Sequence, residues 1–452
     1  MADDKIQAST ASQPDATVAT ATAGKFAAFQ IPNFRILFAG RVTSNMARQM
    51  RVFLRGWMVL ELTNSPLLMG VVISSLSWPM LVLPFVGGVM ADRIDRKLLL
   101  KWTETLLVVL WAATTALVML GAWDVGPSFL RIRWWHFIIT SVLSGVIQSI
   151  GRPGHQAMVG SIVDKGRLSS AVALDSIADH WPRVAGPALG TVAIAMIGGT
   201  WHNWGPWLFG LTAAGQLFTA ITIFLLKWEP GMKVARTHDQ SSAWRDFING
   251  IQHIKGEPVL LSLVALGISF MLFAGGASFL LPVFTRDVLG YGPEQGAAMF
   301  GILSTLQTVG SSLGALIVVL AANFRNRGML LFFIAVLHGA CLIAFSQSTV
   351  LLLSAALILG TSFTGVFFST TRRMFMQLAA PDHLRGRVMS MEVFQQGLSP
   401  IGVIIWGSIA ELMQARQGLA EGTQTTWLLG GLMYTAIAVL FFAFVPALRR
   451  LR

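Results

Sequence analysis

The chain has 452 residues, 54% of them hydrophobic and only 12% charged, with a formal net charge of +12. A water-soluble domain of that composition would expose apolar surface on every side, so a bilayer is the solvent it calls for. The single cysteine, Cys341, excludes an intrachain disulfide.

Residues 1–24 are rich in Ala, Thr, Ser and Asp and lack the basic start and apolar core of a signal peptide. They read as a disordered cytoplasmic tail. Continuous apolar runs then predict twelve membrane-spanning helices. They lie near 34–60, 66–90, 98–122, 135–157, 170–198, 204–226, 258–284, 294–321, 328–346, 349–371, 387–413 and 425–446. The expected class is an all-α integral membrane protein. The first six-helix half covers 25–226 and the second 258–446. Between them 227–257 is a polar linker, whose Ser241–Lys255 stretch has the spacing of a helix lying on the membrane surface. Residues 447–452 form a basic cytoplasmic tail.

With both termini placed in the cytoplasm, Arg93, Arg96, Lys97, Lys165, Arg167, Lys227, Lys233, Arg236, Arg245, Lys255, Arg325, Arg327, Arg372, Arg373, Arg385, Arg387, Arg449, Arg450 and Arg452 fall on one side. The opposite loops keep Arg131, Arg133, Arg286 and Arg416. This positive-inside bias fixes orientation and accounts for the net charge without nucleic acid. Six tryptophans, Trp123, Trp134, Trp135, Trp201, Trp204 and Trp207, read as an aromatic belt at the outer boundary.

Span one carries Arg41, Arg48, Arg51 and Arg55. At 100° per residue, Arg41, Arg48 and Arg55 fall within about 40° of one another, with Ser44 and Asn45 on the same face. Four arginines cannot all face lipid. Arg48 and Arg51, near the middle, predict a cavity that takes carboxylates, phosphates or catecholates. Arg41 and Arg55, nearer the ends, divide between that role and snorkelling. Span three contributes Glu104, a weaker candidate. Span five places Asp175, Asp179 and Arg183 at successive i+4 positions with His180 adjacent. That face is a structural ion-pair ladder, or pairs with the span-one arginines, or is a site where Asp179, with Asp175, carries a proton. Glu392 on span eleven, followed by Gln395, Gln396 and Ser399, is a further proton-carrying candidate. Arg152 and Arg372 near the ends of spans four and ten are interfacial anchors or gate residues.

The halves are similar to each other. Ser144-Gly-Val-Ile-Gln-Ser-Ile-Gly-Arg152 matches Thr364-Gly-Val-Phe-Phe-Ser-Thr-Thr-Arg372, and Lys165-Gly-Arg167 matches Arg385-Gly-Arg387 at the same offset. Six spans per half make this a parallel repeat.

Between spans two and three lies Gly88-Val-Met-Ala-Asp92-Arg93-Ile-Asp-Arg96-Lys97. Its Gly-x-x-x-Asp-Arg-x-x-Arg-Lys pattern resembles the signature loop of the major facilitator superfamily. The resemblance implies a latch in which Asp92 meets the start of span eleven near Arg387. The second-half counterpart, Ala322–Arg327, lacks the acid. In span five, Arg183-Val-Ala-Gly186-Pro187-Ala-Leu-Gly190 resembles the Gly-Pro core of the motif associated with antiporters and exporters. Thr191, Pro182 and Ala173 depart from that pattern. Gly186, Pro187 and Gly190 are expected to pack the helix closely against a neighbour.

Arg152-Pro-Gly-His155-Gln-Ala running to Gly190, Phe284-Thr-Arg-Asp-Val-Leu-Gly290 and Pro381–Ser390 resemble the enterobactin-exporter-like branch, also described as transmembrane secretion effectors, with macrolide efflux proteins as relatives. His155 stands where many relatives carry Arg. The resemblance implies a proton-coupled exporter in a bacterial inner membrane, working by alternating access as a monomer. Its partners would be a small anionic or amphiphilic solute of siderophore, drug or organic-acid type, and protons. Enzyme activity, metal, cofactor and nucleic acid are not expected. The alternatives are an importer or lipid flippase of the same fold, and a transport-inactive sensor or scaffold.

Overall fold

The computed structural model describes residues 26–83, 96–227, 256–275, 278–321, 326–381 and 395–449, together with Gln252, Ile254, Val388, Met391 and Glu392. The expected tail 1–24, the surface helix apart from Gln252 and Ile254, the signature-loop residues Gly88, Asp92 and Arg93, and the facing Arg387 lie outside the described residues. Arg96 opens the third long helix, and its side chain is not described.

Among the described residues the regular secondary structure is helical, and each of the twelve predicted spans contains helix. α1 runs from Pro32 to Thr63. Pro32 lacks an N–H where none is needed and pre-sets φ for a helix start. Asn64 ends α1 in the left-handed region, at φ 51°. Ser65 then caps α2 (Pro66–Ser75) by accepting the Leu68 N–H at 3.1 Å. The second span breaks at Leu76 and resumes as α3 (Ser77–Val82), where Pro79 has no N–H to continue the ladder. The first half is completed by α4 (Arg96–Ala122), α5 (Trp134–Ile162), α6 (Leu168–Ile197) and α7 (Trp201–Leu225).

The seventh span departs from the plain helix expected of it. α8 (Pro258–Ser269) widens into π-helical turns at Phe270–Gly275 and again at Phe284–Val288. Widened turns leave carbonyls unmatched; the Leu272 oxygen accepts from Trp406 Nε1 at 2.6 Å. α9 (Pro293–Ala321), α10 (Arg327–Ser346), α11 (Leu351–Ala379), α12 (Ser399–Gln417) and α13 (Leu419–Phe444) follow. α13 starts six residues earlier than hydropathy predicts, because Thr423 and Thr426 hide their hydroxyls on the Leu419 and Gly422 carbonyls of their own helix.

Eight of these helical runs are long and apolar enough to cross a membrane. The long helices outside that set are α1, α5 and α6, each diluted by polar residues. Close packing uses glycine where helices cross. Gly310 and Gly314, one turn apart on α9, lie against the α11 backbone at Leu359 and Phe363. Gly186 and Gly190 lie against Met46, Gln49 and Phe53 of α1. The aromatic belt holds in part: Trp123 and Trp207 are 56% and 66% exposed, whereas Trp204 and Trp201 are packed into the core. Trp204 lies at a helix start that folds inward over α1, which a linear hydropathy reading cannot detect.

The halves meet at the end of the bundle where α1 finishes. There Arg286 Nη1 donates to Asn64 Oδ1 at 2.8 Å, Glu411 accepts from the Ser65 hydroxyl, and the Leu67 N–H reaches Glu411 Oε2 at 3.3 Å. Phe53 and Phe300 stack with ring centroids 4.8 Å apart. At the opposite end no hydrogen bond joins the halves among the described residues.

Candidate functional site: a guanidinium-lined cavity

A cavity of about 1080 Å³, including its open mouth, lies wholly within the first half. The α1 stripe supplies Arg41, Ser44, Asn45, Arg48 and Arg51, and α6 supplies Asp179 and Arg183. The remaining polar wall is Thr103 and Glu104 on α4, Gln148 and His155 on α5, and Gln216 on α7. All five residues expected to bind solute, Arg41, Asn45, Arg48, Arg51 and Arg183, therefore line one space.

Their partners differ. Arg41 Nε lies 2.7 Å from Asp175 Oδ1, and its Nη2 donates to Asp179 Oδ1 at 2.9 Å. Asn45 Nδ2 donates to the same Asp179 oxygen and to the Ala178 carbonyl, each at 2.9 Å. Arg48 Nη2 in turn donates to Asn45 Oδ1 at 2.7 Å. Arg51 is buried. It donates to the Thr212 carbonyl at 3.1 Å and to Gln216 Oε1 at 3.3 Å, and it lies 4.3 Å above the Trp111 ring. Arg183 is exposed to the cavity and makes no hydrogen bond or ion pair among the described residues.

Arg55 does not snorkel. It is 5% exposed and donates to the Ser141 hydroxyl, away from the cavity. The chain gives it a buried hydroxyl partner in place of the interface.

A second cavity of about 740 Å³ lies between the halves. Gln49, Phe53 and Ile73 face Phe279, Phe300 and Gln307 across it, and Arg183 lines it too. Arg183 thus stands where the two spaces adjoin.

Glu392 lies in neither cavity. Arg372 Nη2 donates to it at 2.5 Å and Arg373 Nη2 at 3.2 Å. Arg372, 1% exposed, also donates to the Leu263 carbonyl at 3.1 Å. This cluster ties α11 to α8 and to the residues leading into α12. Lys97, the described end of the signature loop, donates Nζ to the Leu226 carbonyl at 2.5 Å.

Glu104 carries more of the cavity than its sequence position suggests. It is 4% exposed, with Oε1 2.8 Å from His155 Nε2 and Oε2 accepting from Gln216 Nε2 at 2.5 Å. No periodicity within α4 reports this, since the three residues come from three helices.

The sequence profile of the family described as transmembrane secretion effector matches residues 23–444. The staphyloferrin A transporter of Staphylococcus aureus is 24% identical over 394 residues, covering 85% of this chain and 89% of that protein. The enterobactin exporter EntS of Citrobacter koseri is 23% identical over 387 residues, covering 84% and 86%. Among solved structures, the nucleoside transporter NupG superimposes with a TM-score of 0.69 at 15% identity, covering 91% of this chain and 98% of its own. At that identity the likeness speaks for the fold alone.

Proposed function

The chain belongs to the transmembrane secretion effector family of the major facilitator superfamily and is a membrane transporter, not an enzyme; from that premise we propose that it is a proton-coupled exporter of a small organic anion. It works by alternating access, as a monomer in a bacterial inner membrane with both termini cytoplasmic. The anion carries carboxylate, phosphate or catecholate groups, with an apolar or amphiphilic body.

One observation carries this reading: four arginines face two carboxylates in the wall of one cavity among the spans, and Arg183 has no hydrogen-bond or ion-pair partner among the described residues. Intramembrane charge is expensive and is retained where it serves a ligand. A guanidinium binds a carboxylate or phosphate through two parallel donors. Export is favoured by the Gly186-Pro187 element and by the names of the relatives, one of which is an exporter. With the termini in the cytoplasm, the contacts at the far end of α1 close the outer side, and the guanidinium cavity is loaded from within.

Proton and solute meet at Arg41. The solute's anionic group and the Asp179 carboxylate compete for the same donors, so occupancy of Arg41 decides whether Asp179 holds a proton. Asp175 keeps the second guanidinium edge in place. Asp92, Arg93, Arg96 and Lys97 belong to the cytoplasmic latch, with Arg387 on the facing helix.

The test is solute movement into inverted membrane vesicles energised with a proton gradient. The expected result is gradient-dependent uptake of an organic anion that Arg183→Gln lowers about tenfold or more at limiting solute. Uptake that is independent of the gradient removes proton coupling, and equal loss of neutral and anionic solutes in Arg183→Gln removes the cationic site.

A further inference from the structure

Asp175 and Asp179 are held by Arg41, and Glu392 by Arg372 and Arg373. A guanidinium at hydrogen-bond distance favours the charged form of a carboxylate, and a proton that loads there competes with it. Glu104 is held differently. Its partners are an imidazole and a neutral amide: His155 at 2.8 Å and Gln216 at 2.5 Å. No guanidinium reaches it among the described side chains. Arg51 touches Glu104 only through Gln216, whose Oε1 takes the Arg51 Nη2–H at 3.3 Å. His155 Nδ1 is buried and has no hydrogen-bond partner among the described residues.

We propose that Glu104 and His155 form a second proton-binding site, one that loads without displacing any arginine. The claim rests on the proton-coupled reading above and adds a site to it. With neutral imidazole and ionised carboxylate the pair carries one negative charge. One proton, taken from the water that the cavity opens to, makes the pair neutral: it lies on Oε1, whose O–H donates to Nε2 of a neutral imidazole that carries its own proton on Nδ1. No other bond changes.

The groups that face the pair set its response. Arg48 and Arg51 come from α1, and Asp175 and Asp179 from α6, with Asp175 within electrostatic reach of His155 and Arg51 within reach of Glu104. α7 offers only the neutral Gln216. An anion seated on the arginines cancels part of their field and favours the protonated pair. By linkage, the protonated pair favours the anion equally. Asp179 answers the same anion by exchange at Arg41; Glu104 answers it through the field and through Gln216.

The experiment is infrared difference spectroscopy of the full-length protein in lipid, titrated with pH and needing no solute. The expected spectrum contains a protonated-carboxyl C=O band that Glu104→Gln lacks and Asp179→Asn retains. In His155→Asn its midpoint moves by roughly one pH unit or more. Glu104→Asp, which keeps a carboxyl, restores the band at a shifted midpoint and guards against misfolding of the amide variant. A pH-difference spectrum in which wild type and Glu104→Gln have the same carboxyl C=O intensity overturns the proposal, as does a midpoint unchanged in His155→Asn. Gradient-independent vesicle uptake by the wild type would sink coupled export while leaving the band assignment to stand by itself.

Discussion

Arg183 and Arg51 bring the same charge to the same cavity, yet their surroundings predict opposite responses to replacement. Arg183 is exposed and unpartnered among the described residues. Removing it leaves no protein group unsatisfied, so Arg183→Gln should alter thermal stability by under about 0.5 kcal/mol. It should weaken anion binding about tenfold or more, since a charge-assisted hydrogen bond is worth about 1.5–3 kcal/mol. Arg51→Met leaves the buried Gln216 Oε1 without its donor and removes the second bond to the Thr212 carbonyl, and should lower stability by about 1–3 kcal/mol. Paired measurements of unfolding midpoint and anion affinity in detergent separate the two. If Arg183→Gln unfolds the protein, the division of labour is wrong. Arg372 makes a third case. It is buried with Glu392, so Arg372→Met should cost about 3–5 kcal/mol, and adding Glu392→Met should recover part of it. Additive losses in the double variant would contradict the pairing.

Helix packing shows why some of the site could be read from the chain and some could not. The α1 stripe was legible because 3.6-residue periodicity fixes which residues of one helix share a face, and Arg41, Asn45, Arg48 and Arg51 do share a cavity. The Asp175–Asp179–Arg183 face was legible for the same reason. That rule is silent on which faces of different helices meet. Glu104, His155 and Gln216 are separated by 51 and 61 or more positions and join only because α4, α5 and α7 converge. The break at Leu76 and the widened turns of the seventh span were equally hidden, since hydropathy reports burial in lipid and not backbone bonding. Gly186 is an element-scale feature with a sharp test. A β-carbon there would lie 2.8 Å from Gln49 Cβ and 3.2 Å from the Met46 carbonyl oxygen. Gly186→Val should therefore force α6 off α1 and destabilise by about 1–3 kcal/mol. Gly166→Ala, with nothing within 4 Å, is the control expected to be silent. Equal unfolding midpoints for the two variants would argue against this packing.

At the scale of the whole molecule, transport by alternating access requires the joined end of the bundle to open and the opposite end to close. The joint is built from few polar links, Ser65 and Leu67 to Glu411 and Arg286 to Asn64, over close backbone contact of α2 with α12. Small free-energy changes at such a joint move populations strongly, because each 1.4 kcal/mol is a factor of ten. Gly407 is the position where this can be tried with least collateral change. A β-carbon at 407 would lie 3.1 Å from both Leu67 Cα and the Pro66 carbonyl oxygen, and backbone atoms cannot rotate aside as a side chain can. Gly407→Leu should thus disfavour the joined state and populate the one open at that end. The reporter is Ser304→Cys in the wall of the second cavity, in a Cys341→Ser background, labelled with a membrane-impermeant maleimide added at the side where α1 ends. Labelling should rise at least severalfold in Gly407→Leu while solute export falls, because the cycle loses the state that loads from the other side. Labelling that stays at the level of the Gly407 protein would mean that the contact between α2 and α12 is not what holds this end shut.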